Sequence, residues 1–143
     1  DGGLDLAIRD VLGLEVQRRV QARIVERHHG ELPIGCAEIV ETGDPRWPML
    51  VAAPTMRVPE SVSTTVNAYL AFRAILLVVR AWNETERMKI RSLVCPGLGT
   101  GIGHLDERRC AVQMRMAWKQ VSGPSRIPSF AQIHAVHAAL RTA

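Results

Sequence analysis

The chain has 143 residues, of which 47% are apolar and 22% charged, with a formal net charge of +4. This composition suits one globular domain with a core of its own. No apolar run reaches the roughly 18–20 residues that a bilayer-spanning helix needs.

Three cysteines, Cys36, Cys95 and Cys110, stand far apart in the sequence. An odd number with no two-to-four residue spacing argues against a disulfide framework or a four-ligand zinc site, and favours reduced thiols in a cytoplasmic protein. The chain opens at Asp1-Gly2-Gly3, without Met, and no signal peptide is visible. That opening reads as a loop entering a helix, so a preceding segment is expected. The positive charge is nearly all Arg, since Lys occurs only at Lys89 and Lys119. The Arg residues alternate with acids along helices, which fits a solvated surface better than a nucleic-acid face.

In chain order, residues 4–12 read as a short helix with Leu4, Ile8, Val11 and Leu12 on one side, stopped by Gly13. A second helix spans about 15–29, with Val16, Val20 and Ile24 four apart and Gly30 as its cap. Residues 35–42 have strand character. Residues 49–53 are a continuous apolar run, as in a strand covered on both faces.

A long helix follows at about 62–82. It is apolar almost all round, so burial against a sheet is expected, with Ser63 or Thr64 as cap. Residues 90–95 predict another buried strand and 96–104 a glycine-rich turn. Residues 105–121 predict a helix with Asp106 and Glu107 in its first turn, where carboxylates suit the dipole. A last helix is predicted over 129–140. Strands alternating with helices long enough to cross over them argue an α/β fold.

The glycine-rich turn reads Pro96-Gly97-Leu98-Gly99-Thr100-Gly101-Ile102-Gly103-His104. Between a strand and a helix it occupies the edge where open α/β sheets bind ligands. Glycines let the backbone approach a ligand, and successive N–H groups with a helix start behind them form an anion nest. No Lys-Ser/Thr follows, so this is not a P-loop, and the spacing fails the dinucleotide fingerprint. Gly2-Gly3-Leu4-Asp5 is a second glycine-led helix start. Two such starts facing one another would clamp a diphosphate.

These stretches resemble the macro-domain family. Gly2 to Ile8 (GGLDLAI) resembles its Gly-Gly-Val-Asp-x-Ala-Ile loop. Residues 32–42 (LPIGCAEIVET) resemble its Leu-Pro-x-Gly-x-Ala stretch, and 98–102 (LGTGI) its second ligand loop. The order matches across about 2–121. The resemblance implies a three-layer α/β/α sandwich with a mixed central sheet, here without its N-terminal strand and Asn loop, as one domain over 1–143. Residues 123–143 are a helical extension outside the resemblance.

The resemblance also implies ADP-ribose, or an ADP-ribosylated macromolecule, as ligand. Gly97, Gly99, Thr100, Gly101, Ile102, Gly103 and His104 would hold the diphosphate and distal ribose. Gly2, Gly3 and Leu4 would form the opposing loop, with Arg9 as a phosphate partner. Asp5 would orient the sugar or an attacking water in any ADP-ribosyl hydrolysis. The family's hydrolases that use this Asp often carry His four residues later, where this chain has Arg9, which cannot act as a base at neutral pH. The aromatic residue usual after Gly-Ile is replaced by Gly103 and His104.

No cofactor and no metal is implied. His134 and His137 lie three apart on the last helix but lack further ligands, and Cys95 and Cys110 lack a base. His28 and His29 read as ordinary helix-end residues. The competing readings are a nucleic-acid or poly-anion binder and a protein-interaction module on a degenerate macro scaffold.

Overall fold

The computed structural model describes residues 3–142. They form helices α1 (Leu4–Leu12) and α2 (Leu14–His28), strands β1 (Glu38–Glu41) and β2 (Met49–Ala52), and helices α3 (Asn67–Thr85), α4 (Glu107–Ser122) and α5 (Phe130–Thr142). β1 and β2 pair antiparallel in a two-stranded sheet, with Ile39 opposite Val51 and Val40 opposite Leu50. The content is mixed α/β. The described residues do not assemble the expected three-layer sandwich with a mixed central sheet.

The reason lies in residues 90–95. Their side chains meet the apolar requirement of a strand, but a strand also needs a neighbour for its N–H and C=O groups. Asn83 secures only the first residue. Its amide donates to the Ile90 carbonyl at 2.9 Å, and its side-chain carbonyl accepts from the Ile90 amide at 2.7 Å. Beyond Ile90 the segment joins no ladder, and Val94 is 79% exposed. β2 also departs from the expectation of cover on both faces, being only half-buried along its length.

α1 and α2 meet at Gly13, whose φ of 86° is one that few other residues adopt. α1 buries no residue and α2 buries only Val16. α2 ends in a left-handed His29, which takes the cap expected of Gly30. Its end is held to β1 by His28, whose Nε2 lies 2.8 Å from Oε1 of the buried Glu38, with Arg27 at 3.5 Å from the other oxygen.

α3 and α4 are the most closely packed pair. α3 buries Ala68, Ala71, Ala74 and Ile75, and α4 buries Cys110, Gln113, Ala117 and Val121. Three alanines along one face let the helix axes approach closely. The remaining face of α3 is less covered than its composition implies, and Leu77 is exposed. α3 begins at Asn67 rather than Val62 because the intervening residues form a turn of their own. The amide and hydroxyl of Thr65 both donate to the Val62 carbonyl, at 3.0 and 2.8 Å. The Thr65 hydroxyl also accepts from the Asn67 amide at 3.3 Å, so Thr65 serves the helix start instead of Ser63 or Thr64.

Gln113 is fully buried on α4 and satisfied on every side. It accepts from the Tyr69 amide at 3.1 Å and donates to the carbonyls of Thr65 at 2.8 Å and Leu140 at 3.3 Å. One side chain thus ties α4 to α3, to the turn before it and to α5.

Candidate functional site

The glycine-rich loop, residues 97–104, rests directly on the core. Val62, Ala68, Leu105 and Cys110 form a buried cluster, with Met56, Leu98 and Met114 packed against it. The loop folds over this cluster through its own backbone. The Leu105 amide donates to Gly99 at 3.0 Å, the His104 amide to Gly101 at 3.0 Å, and the Val62 amide to Gly103 at 2.8 Å. Thr100 Oγ1 donates to the Gly97 carbonyl at 3.0 Å, drawing the loop's entrance tight.

Two glycines are required by space. A Cβ at Gly103 would lie 2.6 Å from both the Gly99 carbonyl oxygen and Val62 Cγ2. One at Gly99, where φ is +74°, would lie 2.9 Å from Val62 Cγ2. Gly101 is different: it is exposed and nothing stands within 4 Å of where its Cβ would be. Gly101, Ile102 and Gly103 donate no amide hydrogen bond to any group among the described residues. Ile102 is 54% exposed beside them. Gly101 and Ile102 are exposed and Gly103 is buried, so the outer rim of the loop combines two free N–H groups with an apolar side chain, on a base fixed by packing. Such a surface can accept an oxyanion through backbone donors. His104 adopts φ 51°, a left-handed conformation in which His, like Asn and Asp, is found more often than most non-glycine residues.

The helix start behind the loop is not open to a ligand, contrary to what the sequence implies. Asp106 is the N-cap of α4, and its Oδ1 accepts from the Arg109 amide at 3.0 Å. The carboxylate occupies the positive end of the helix dipole.

The second loop is less defined by packing. Gly2 lies outside the described residues. Gly3, at φ 68°, is the N-cap of α1 and provides no side-chain bond, so the first N–H groups of α1 lack a cap. Leu4 and Asp5 are exposed. Arg9 lies 3.5 Å from Asp10 and forms no ion pair with Asp5. α1 packs on α2, and its far end, at Val11 and Leu12, borders the β1–β2 turn at Thr42 and Asp44. The residues from Gly97 to His104 thus share one loop, whereas Gly3, Leu4, Asp5 and Arg9 belong to a separate, outlying helix.

The cysteines near the loop do not present nucleophiles. Burial, followed by the proximity of Cys110, pushes the Cys95 thiol up to about 11, and burial likewise raises Cys110. Cys110 Sγ donates weakly to the Leu98 carbonyl at 3.4 Å, supporting the loop from below. Among the described residues no three His, Cys, Asp or Glu side chains gather as a metal site, and no helix is long and apolar enough to cross a membrane.

Sequence reasoning missed three groups: the buried Glu38 with His28, the threefold-bonded Gln113, and Arg109, which donates to Ser63 and Arg141 carbonyls. Only the apolar setting of Glu38 and Gln113 within amphipathic patterns signals them. Their partners lie in other elements.

The glycine loop is seated on the core of a domain with mixed α/β content, ahead of α4. The macro domain family model matches residues 1–114, and the chain belongs to that family. It is similar to an uncharacterized protein of Aquifex aeolicus (strain VF5), at 29% identity over 113 residues. That alignment covers 79% of this chain and 61% of the relative, so the chain spans about three fifths of the relative's length. No solved structure matches.

Proposed function

We propose that this chain binds ADP-ribose or an ADP-ribosyl derivative, with the diphosphate on the exposed amides of Gly101 and Ile102, and with the buried Gly103 shaping the loop beneath the ligand. The observation that carries the reading is the combination of free amides on the rim with a packed base beneath them. A preorganised donor set binds an anion without first having to order itself. Membership of a family that generally binds ADP-ribose supports the same ligand.

In this reading Gly97, Gly99, Thr100 and His104 shape the loop. Gly3 and Leu4 at the start of α1, Arg9 in its last turn and Gly2 ahead of it in the sequence contribute to the ligand's other side, and Asp5 orients the distal ribose. Hydrolysis of an ADP-ribosyl bond would use Asp5 to take a proton from water. The free N–H groups at the start of α1 support the role of that helix. A layered sandwich over residues 1–143 as one domain belongs to the same proposal. The linkage of α3, α4 and α5 through Gln113 supports the single domain. A cytoplasmic setting belongs to the proposal as well, in keeping with three free cysteines.

The test is calorimetric titration with ADP-ribose, with AMP and NAD as controls. Saturable one-to-one binding, weaker for both controls, is expected. A folded chain that gives no heat with ADP-ribose would remove the assignment.

A further inference from the structure

The family match ends at residue 114, yet the chain beyond it packs back onto the matched part. Leu140 of α5 is buried. Arg141 Nε donates to the Thr64 carbonyl at 3.2 Å, and Arg109 Nη2 donates to the Arg141 carbonyl at 2.6 Å. Between α5 and the turn before α3 lies an open groove of about 400 Å³, lined by Thr64, His134, His137, Ala138, Arg141 and Thr142.

His134, His137 and Arg141 stand three and four residues apart, so they form one stripe along α5. Among the described residues no carboxylate lines the groove, and α5 contains no acidic side chain. Among the described residues neither Arg109 nor Arg141 is in an ion pair. Arg141 spends only its Nε on Thr64, and its two Nη groups have no partner there among the described residues. A helix C-terminus ordinarily repels an anion through its exposed carbonyls. In α5 two of those carbonyls are covered: Leu140's accepts from Gln113, and Arg141's from the Arg109 guanidinium. Arg109 donates through its Nη groups to the Ser63 and Arg141 carbonyls, and its buried Nε has no acceptor among the described residues.

We infer that this groove is a second oxyanion site, separate from the glycine loop, which takes the phosphate group of a small molecule. Arg141 offers two parallel N–H groups to the phosphate, the arrangement in which a guanidinium binds it best. His134 and His137 add donors from the same stripe, and Thr64 closes the opposite wall. A transition metal is a poor occupant, since two imidazoles beside the Arg141 guanidinium fall short of a ligand set.

The test follows backbone amide resonances of α5 and the 61–66 turn by NMR, during separate titrations with inorganic phosphate and with AMP. Saturable shifts confined to these residues are expected. Affinity should fall by about tenfold or more in Arg141→Gln and in the double variant His134→Gln/His137→Gln. The double variant changes only exposed side chains, so circular dichroism should match the parent. Tighter binding of AMP than of phosphate would identify a nucleotide as the source of the group, and equal binding the bare anion. Absence of saturable shifts with both probes, or unchanged affinity in the folded double variant, overturns the site.

Discussion

The amide of Val62 donates to the carbonyl of Gly103 at 2.8 Å, and the Val62 side chain fills the space that a Cβ on Gly103 would need. Backbone bond and side-chain packing thus lock the glycine loop to the turn before α3 at one point. Gly103→Ala must displace either the Gly99 carbonyl or Val62. We expect a loss of about 1–3 kcal/mol in stability, measured by urea denaturation. A denaturation midpoint equal to the parent's would mean that the loop has room to relax.

Gly101 stands in open space on the same loop, so Gly101→Glu should leave the denaturation midpoint unchanged. Its carboxylate would lie where the phosphates are proposed to sit. ADP-ribose affinity should drop at least about tenfold, near 1.4 kcal/mol. Full retention of affinity in calorimetry would move the site elsewhere on the molecule.

Asp5→Ala removes an exposed carboxylate without touching the core. In the proposed role it should slow release of ADP-ribose from an ADP-ribosylated substrate more than it weakens binding of free ADP-ribose. Equal losses in the two assays would make Asp5 a ligand anchor instead.

Gln113→Leu keeps the volume of a buried side chain but strands the Tyr69 amide and the Thr65 and Leu140 carbonyls. Leaving buried polar groups unpaired costs about 1–3 kcal/mol each. A thermal melt should register a loss at the upper end of what single substitutions produce. A melt within a degree or two of the parent's would mean that water replaces the lost partner.

The Arg46 guanidinium, bonded to Asp44 at 2.7 and 3.1 Å, together with the Arg46 amide, holds the Asp44 carboxyl at about 2 against an ordinary 3.8. A depressed folded-state value means that this pair stabilises the fold above pH 3.8, and that the contribution is lost as pH falls toward about 2. Arg46→Ala should raise the Asp44 midpoint in an NMR titration. It should also flatten the acid limb of the stability curve in that window. The pair is exposed, so the effect should shrink further in high salt.

How much of this was legible in the residues alone depends on whether the cause is local. Glycine spacing reports backbone geometry directly, so the loop at 97–104 could be read, as could Asp106 at the head of α4. The Ile90 segment misleads because its apolar pattern is local but the partner strand is not. Val62 misleads for a related reason: its helical pattern is real, but a hydrogen bond to Gly103, forty-one positions away, holds it in a turn. His28 and Glu38 meet across two elements, and nothing in either neighbourhood announces the other.

Arg109 and Gln113 sit inside the family-matched portion, yet each has an acceptor in α5 beyond it. Removing the last helix would therefore do more than shorten the chain. A guanidinium and a buried amide would be left without carbonyls they now hold, and Leu140 would leave a void in the core. The boundary between the shared scaffold and its added helix is thus genealogical rather than mechanical. Under denaturant the two should melt together, in a single transition, with no plateau in which the family portion survives alone.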